Sequence, residues 1–232
     1  MASTSRIATK LPLEMLYHWE RQCPDRIYLR QTINREYVDF TWGEVADEAR
    51  RMVTALRALG LVPGDKVALL SKNCAEWFIA DLAMQMGQYV SVPIYPTANV
   101  DTIEYVLRHS EAKAIFVGKL DDWPAMAPGV PEGIPCVGLP LRPSGRFDVL
   151  WSDLQACTPI QDQPRPAADQ LCTIIYTSGT TGTPKGVMHN FSNFAFGASR
   201  GLELFGVDEN DRMLSYLPLC HVAERMFVEM VS

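Results

Sequence analysis

From residue 41 the apolar positions settle into a helical rhythm. Val45, Ala49, Met52, Val53, Leu56 and Leu59 recur at the spacing that gathers them on one face. Thr41 and Glu44 have capping-box spacing, and Gly60 followed by Pro63 supplies a stop, so one helix is predicted between them. Ahead of it, residues 27–29 and 37–40 read as two arms of a hairpin that turns at Asn34-Arg35. Behind it, the short apolar run 66–70 predicts a buried strand.

The pattern then alternates. An amphipathic segment over 75–86 is followed by a strand over 89–94, a helix opening at Asp101 with box spacing to Glu104, and a strand over 114–117. Strand-helix-strand units of this length require right-handed crossovers, which predicts an α/β fold: doubly wound, largely parallel, with flanking helices. Residues 118–146 interrupt it with prolines at 124, 128, 131, 135, 140 and 143, and read as a loop excursion with one short strand near 136–139. A helical turn over 151–155, a connector over 161–166 and a strand over 171–177 come next. A boundary near 165 follows, with 1–165 as an N-terminal α/β subdomain and 166–232 as the start of a second. In that second part 213–217 reads as a strand stopped by Pro218. Ala223, Met226, Phe227 and Met230 then begin an apolar helical stripe that breaks off at Ser232 without cap or turn, as in a chain cut rather than finished.

Composition narrows the class. With 232 residues and 47% hydrophobic content there is material for a sizeable core. A formal charge of -6 without any cluster of Lys and Arg argues against nucleic acid as a partner. No stretch nears the roughly 18 apolar residues of a membrane span, and the polar start MASTSRIATK lacks a signal-peptide core, so the chain reads as soluble and cytoplasmic, with peripheral membrane contact left open. The six cysteines form no Cys-x-x-Cys pair and the four histidines have no ligand spacing, which reads as reduced thiols without a zinc site.

One stretch is out of keeping with a core. Residues 177–186, TSGTTGTPKG, hold four Thr, one Ser, three Gly, one Pro and one Lys between apolar flanks. A phosphate is bound by N–H groups, hydroxyls and a cation, with glycines admitting the backbone closely, and this stretch supplies all of these. It is not a Walker A loop, because no Gly-Lys-Ser or Gly-Lys-Thr occurs and 185–189 reads as a strand. Composition alone leaves two readings, a strand-loop-strand phosphate grip and a threonine-rich hairpin tip.

The full string YTSGTTGTPKGV resembles the signature of the adenylate-forming (AMP-binding) superfamily: acyl-CoA synthetases, luciferases and the adenylation domains of peptide synthetases. TWGEVADEARRMVTALRALGLVPGDKVALL and SVPIYPTANVDTIEYVLRHSEAKAIFV are similar to that family's opening helix and strand and its second βαβ passage. SYLPLCHVAER, residues 215–225, resembles the Leu-Pro-Leu-x-His and Glu-Arg segment of long-chain acyl-CoA synthetases.

The resemblance implies ATP, Mg²⁺ and coenzyme A, with a fatty acid as the other substrate. The carboxylate attacks the α-phosphorus to give acyl-adenylate and pyrophosphate, and the coenzyme A thiol then displaces AMP. Carried onto this chain, Thr177, Ser178, Gly179, Thr180, Thr181 and Gly182 hold the triphosphate, with Thr177 touching Mg²⁺. Lys185 either joins the phosphates or fixes the loop through a carbonyl or carboxylate. His221, the catalytic candidate, stands beside the acyl carboxylate; its alternative is to cap the next helix. Arg225 and Glu229 read as a simple i, i+4 pair worth a few tenths of a kcal/mol, set against a site role for Glu224 or Arg225. His189 reads as a packing residue. Phe191, Phe194, Phe196 and Leu202 either form core or line an acyl tunnel, and core is the commoner fate of such a stripe.

The sequence also departs from the family, whose enzymes are more than twice as long. The later segments that hold adenine, Mg²⁺ and ribose, the hinge and the C-terminal lid have no counterpart in it. Three readings follow: an N-terminal fragment of a long-chain acyl-CoA synthetase, inactive or weak alone; a relative acting on short-chain or aryl acids or making fatty-acyl-AMP; and a non-enzymatic nucleotide-binding or interaction fragment. An uncovered sheet edge would suit a homodimer.

Overall fold

The computed structural model describes residues 11–177, 183–206 and 208–229, apart from the side chains at 202 and 227. Its strands are β1 (Ile27–Ile33), β2 (Glu36–Thr41), β3 (Lys66–Leu70), β4 (Val90–Ile94), β5 (Ala112–Val117), β6 (Cys136–Gly138), β7 (Val149–Leu150), β8 (Leu171–Thr177) and β9 (Lys185–Asn190). Its helices are α1 (Pro12–Gln22), α2 (Trp42–Ala58), α3 (Ala75–Met86), α4 (Val100–His109), α5 (Trp123–Met126), α6 (Phe191–Phe205) and α7 (Val222–Glu224), the last continuing as a π-helical turn, Arg225–Glu229.

Local chemistry accounts for the first elements. Asn34 and Arg35 adopt φ of 51° and 71°, the paired positive values of a type I′ turn, and β1 and β2 pair antiparallel around them. At the start of α2, Thr41 Oγ1 accepts from the Glu44 N–H at 3.2 Å while the Glu44 carboxylate accepts from the Thr41 N–H at 2.8 Å. Such a cap stabilises by about 1 kcal/mol. α4 starts earlier than its predicted box: Asn99 Oδ1 accepts from the Thr102 N–H at 2.9 Å. Asp101 is left in the first turn, where its charge suits the helix dipole, and Glu104 bonds Arg108 at 2.8 Å.

The main sheet runs β7-β6-β5-β3-β4-β8-β9, parallel throughout except for the antiparallel β8–β9 pair. Alternate residues of its central strands face opposite ways. Val67, Leu69, Ala114 and Phe116 join one core with α1, α2 and α3, whereas Ala68, Leu70, Ile115 and Val117 join another with α4 and α5. Helices therefore cover both faces, as the alternating pattern predicted. The short strand predicted within the proline-rich excursion is β6, which extends the sheet beside β5.

Two predictions need correction. The 75–86 segment is a helix, but every residue of α3 is buried, including Glu76, Asp81 and Gln85. It lies among α1, α2, the first hairpin and the sheet, so its polar side chains meet partners inside the protein: Gln31 Nε2 bonds the Glu76 carboxylate at 3.0 Å. Residues 213–217 form no strand, because no neighbouring strand offers them a ladder among the described residues. Leu214 and Tyr216 are 79% and 74% exposed.

Glu48 on α2 gives the first testable consequence of this packing. Burial, and then the charge of Glu76, push its carboxyl up to about 7, with the Trp151 side chain opposing them. A carboxyl whose folded pKa lies above its ordinary value of 4.5 favours folding below that value, and the advantage is lost as the pH rises through 7. Glu48→Gln should therefore match the parent near pH 4.5 and exceed it at pH 8 by about 1–2 kcal/mol, discounted for partial exposure. Urea denaturation at both pH values checks this; an equal difference at the two would refute it.

Candidate functional site

The chain leaving β4 turns back across the sheet through α4 to β5, whereas the chain leaving β8 turns outward to β9. Parallel neighbours whose connections part in this way open a crevice at their carboxyl ends, the usual ligand position in α/β sheets. Thr177 ends β8 there, and Tyr95 follows β4 beside it. The glycine and threonine stretch thus departs from this crevice.

Ser178, Gly179, Thr180, Thr181 and Gly182 lie outside the described residues, while the two roots of the loop lie within them. Thr177 and Lys185 sit opposite one another across the β8–β9 ladder, and both are exposed. Among the described residues Lys185 has no carboxylate partner, so its charge is available to an anion. Just behind, the Tyr176 hydroxyl meets His109 Nδ1 at 2.8 Å, and its ring packs edge-on against Tyr105 and His109. Burial, with Tyr105 adding to it, pushes the phenol up to about 12, so Tyr176 is a neutral, fixed root for the loop.

His221 is the N-cap of α7. Its Nδ1 accepts from the Ala223 N–H at 3.4 Å, which requires the neutral ring to carry its proton on Nε2, and the side chain is exposed. Its neighbours Leu219 and Cys220 are buried, and Asn73, just beyond β3, bonds the Leu217 carbonyl at 2.7 Å and the Leu219 N–H at 3.1 Å, which puts residues 217–219 by the carboxyl end of β3. The capping alternative is therefore what the structure displays for this side chain.

Arg225 corrects the simple helix-pair reading. It is fully buried, and its guanidinium bonds Asp81 at 2.7 Å, Glu229 at 3.0 Å and Thr173 Oγ1 at 2.8 Å, with the rings of Trp77 and Phe194 each 5.4 Å away. Burial drives the Glu229 carboxyl well above its ordinary range, aided by the charge of Asp81. Asp81 also suffers burial, but Arg225 and hydrogen bonds from Glu229 and Gln85 hold it below the usual carboxylate range. Arg225 thus ties Asp81, Glu229 and Thr173 into one buried cluster linking α3, β8 and the turn that continues α7. Asp81 and Thr173 escaped the sequence reading; the signal was an acid inside the apolar run WFIADLAM.

The remaining candidates separate cleanly. His189 is half-buried with its ring edge-on to Phe194, and burial, then the charge of Arg225, lower its pKa, so it packs as a neutral ring. Phe191 and Phe194 are core residues, while Phe196 is 61% exposed on the outer side of α6. The Leu202 side chain is outside the described residues.

Comparison with known proteins agrees with this geometry. The sequence is 31% identical over 220 residues to a long-chain-fatty-acid–CoA ligase of Mycobacterium bovis, a match covering 91% of this chain and 36% of that one. It is 34% identical over 208 residues to the peroxisomal long chain acyl-CoA synthetase 7 of Arabidopsis thaliana, covering 82% and 29%. The chain thus spans about a third of the length of these relatives. In fold it is similar to the acetoacetyl-CoA synthetase of Streptomyces lividans, with a TM-score of 0.81 at 20% identity over 95% of this chain and 36% of that one. A fatty acyl-adenylate ligase of L. pneumophila, in complex with acyl adenylate and pyrophosphate, gives 0.76 at 19% identity over 95% and 37%. The AMP-binding enzyme family matches residues 16–232, which makes the chain a member of that family of adenylate-forming enzymes.

Proposed function

We propose that this chain supplies the phosphate-gripping part of a long-chain fatty acid–CoA ligase, which joins a carboxylate to ATP, releases pyrophosphate, and passes the acyl group from AMP to the coenzyme A thiol. The reading is supported above all by similarity to long-chain acyl-CoA ligases across most of the chain, and by the pairing of the loop's two roots, Thr177 and Lys185, at the end of the β8–β9 ladder. Thr177, Ser178, Gly179, Thr180, Thr181 and Gly182 supply hydroxyls and N–H groups to the β- and γ-phosphates, and Lys185 adds charge. Mg²⁺ enters with the nucleotide as part of the substrate, and the exposed Thr177 hydroxyl is within the chemistry it accepts. His221 presents a neutral Nε2–H toward the reacting carboxylate. Catalysis by such groups is positioning and charge neutralisation, without a covalent protein nucleophile.

In this reading residues 166–232 open the nucleotide-binding subdomain, and the rest of the active site comes from elements that the relatives carry in their remaining length. The expected result is carboxylate-dependent ATP–pyrophosphate exchange by the longest polypeptide its reading frame encodes, and little or none by residues 1–232 alone. Exchange with short or aromatic acids only would move the assignment to another acid. No exchange with any acid, together with measurable ATP binding, would leave a nucleotide-binding module.

A further inference from the structure

The segment before His221 has no strand to hold it, yet it is held. Asn73, just beyond β3, donates from Nδ2 to Ser215 Oγ at 2.8 Å and to the Leu217 carbonyl at 2.7 Å, and its Oδ1 accepts from the Leu219 N–H at 3.1 Å. Both amide hydrogens and the carbonyl of one side chain are thereby committed to five consecutive residues more than 140 positions away. Among the described residues, no other side chain outside the segment hydrogen-bonds to 213–220. Leu219 and Cys220 are buried at its end, whereas Leu214 and Tyr216 stay exposed, so the segment is fixed by a few points rather than by general burial.

His221 follows directly. On its far side Arg225 ties α7 to Asp81 and Thr173, and the Arg225 N–H bonds the His221 carbonyl at 3.2 Å. His221 therefore stands between two anchors, an amide latch at the carboxyl end of β3 and a buried ionic one between α3 and β8. The second is locked by packing; the first depends on one half-exposed residue.

We infer that Asn73 is a positioning residue for the adenylating reaction: it latches residues 215–219 across the end of β3 and so sets where His221 stands. It acts through the segment and touches no substrate. The inference rests on the role proposed above for His221. Asparagine suits the task because it donates twice and accepts once in one plane. Aspartate of the same shape would keep an acceptor for the Leu219 N–H but would present only acceptors to the Leu217 carbonyl.

Amide hydrogen exchange on residues 1–232 tests the latch without reference to activity. Asn73→Asp and Asn73→Ala should speed exchange across 213–222 by about tenfold or more, with peptides from β3, β4 and β5 unchanged. Unchanged exchange across 213–222 would overturn the latch. The positioning role is read on the polypeptide that supports ATP–pyrophosphate exchange. There both variants should lower kcat by about tenfold while KM for ATP stays within about twofold. In a His221→Ala background Asn73→Ala should add less than about twofold, because it acts through that residue. Independent, multiplying losses, or wild-type kinetics despite a loosened segment, would overturn the role. A wild-type enzyme inactive with every carboxylate would remove the functional reading and the positioning role together, and the exchange data on 213–222 would identify that case.

Discussion

Arg225→Met is expected to lower folding stability by about 3–5 kcal/mol, the cost of leaving a buried charge without its partner. Three groups lose a donor at once: Asp81, Glu229 and Thr173. Glu229 is the less affected, because burial already drives its carboxyl toward the neutral form. Asp81 is the more affected, since its ionised form is maintained against burial chiefly by the Arg225 charge. It must either take up a proton or stay charged in an apolar site, and its depressed pKa is lost in both cases. Asp81→Asn in the same background should restore much of the loss, so that the double variant is more stable than Arg225→Met alone. Urea denaturation of the three variants measures the coupling. A loss below about 1 kcal/mol for Arg225→Met would mean that the cluster is solvated and not the buried ionic anchor described.

Thr180→Ala and Thr181→Ala are each expected to reduce carboxylate-dependent ATP–pyrophosphate exchange by about 10²-fold, the scale observed when one preorganised donor to developing charge is removed. The far-UV circular dichroism and the denaturation midpoint should match the parent. This separation follows from the loop's roots. Thr177 and Lys185 are fixed by the β8–β9 ladder and Tyr176 by His109, so the fold is expected to stand without the hydroxyls between them. Activity equal to wild type in both variants would show that the stretch is a turn. Loss of activity together with a lowered midpoint would show that it serves the fold.

The elements most legible in the sequence were those decided by near neighbours. Asn34-Arg35 set the first turn, Thr41 and Glu44 capped α2, and alternation of strands with helices gave the sheet, because each depends on contacts within a few residues. The phosphate-type loop was legible for a different reason, since its donor chemistry lies in consecutive residues. What stayed hidden depends on distant partners. An acid inside a helix reads as a solvent-facing residue until Arg225, 144 positions later, is seen to meet it. Residues 213–217 carry a strand-like sequence but lack a ladder, and the helix-forming pair Arg225 and Glu229 gave no sign of the third member. Nothing around Asn73 in the sequence marks it, because its three bonds all go to the far end of the chain.

The separation between Asp81 and Arg225 has a consequence for synthesis. β3, β4 and β5 are adjacent in the sheet and nearly consecutive in the chain, so this centre is complete on the ribosome before β8 has been made. At about 5–20 residues per second, the arginine that neutralises Asp81 arrives roughly seven to thirty seconds after it. Through that interval α3 carries an acid whose cation has not yet been made. Arrival of Arg225 is then what gives Asp81 its cation, 2.7 Å away in the finished fold.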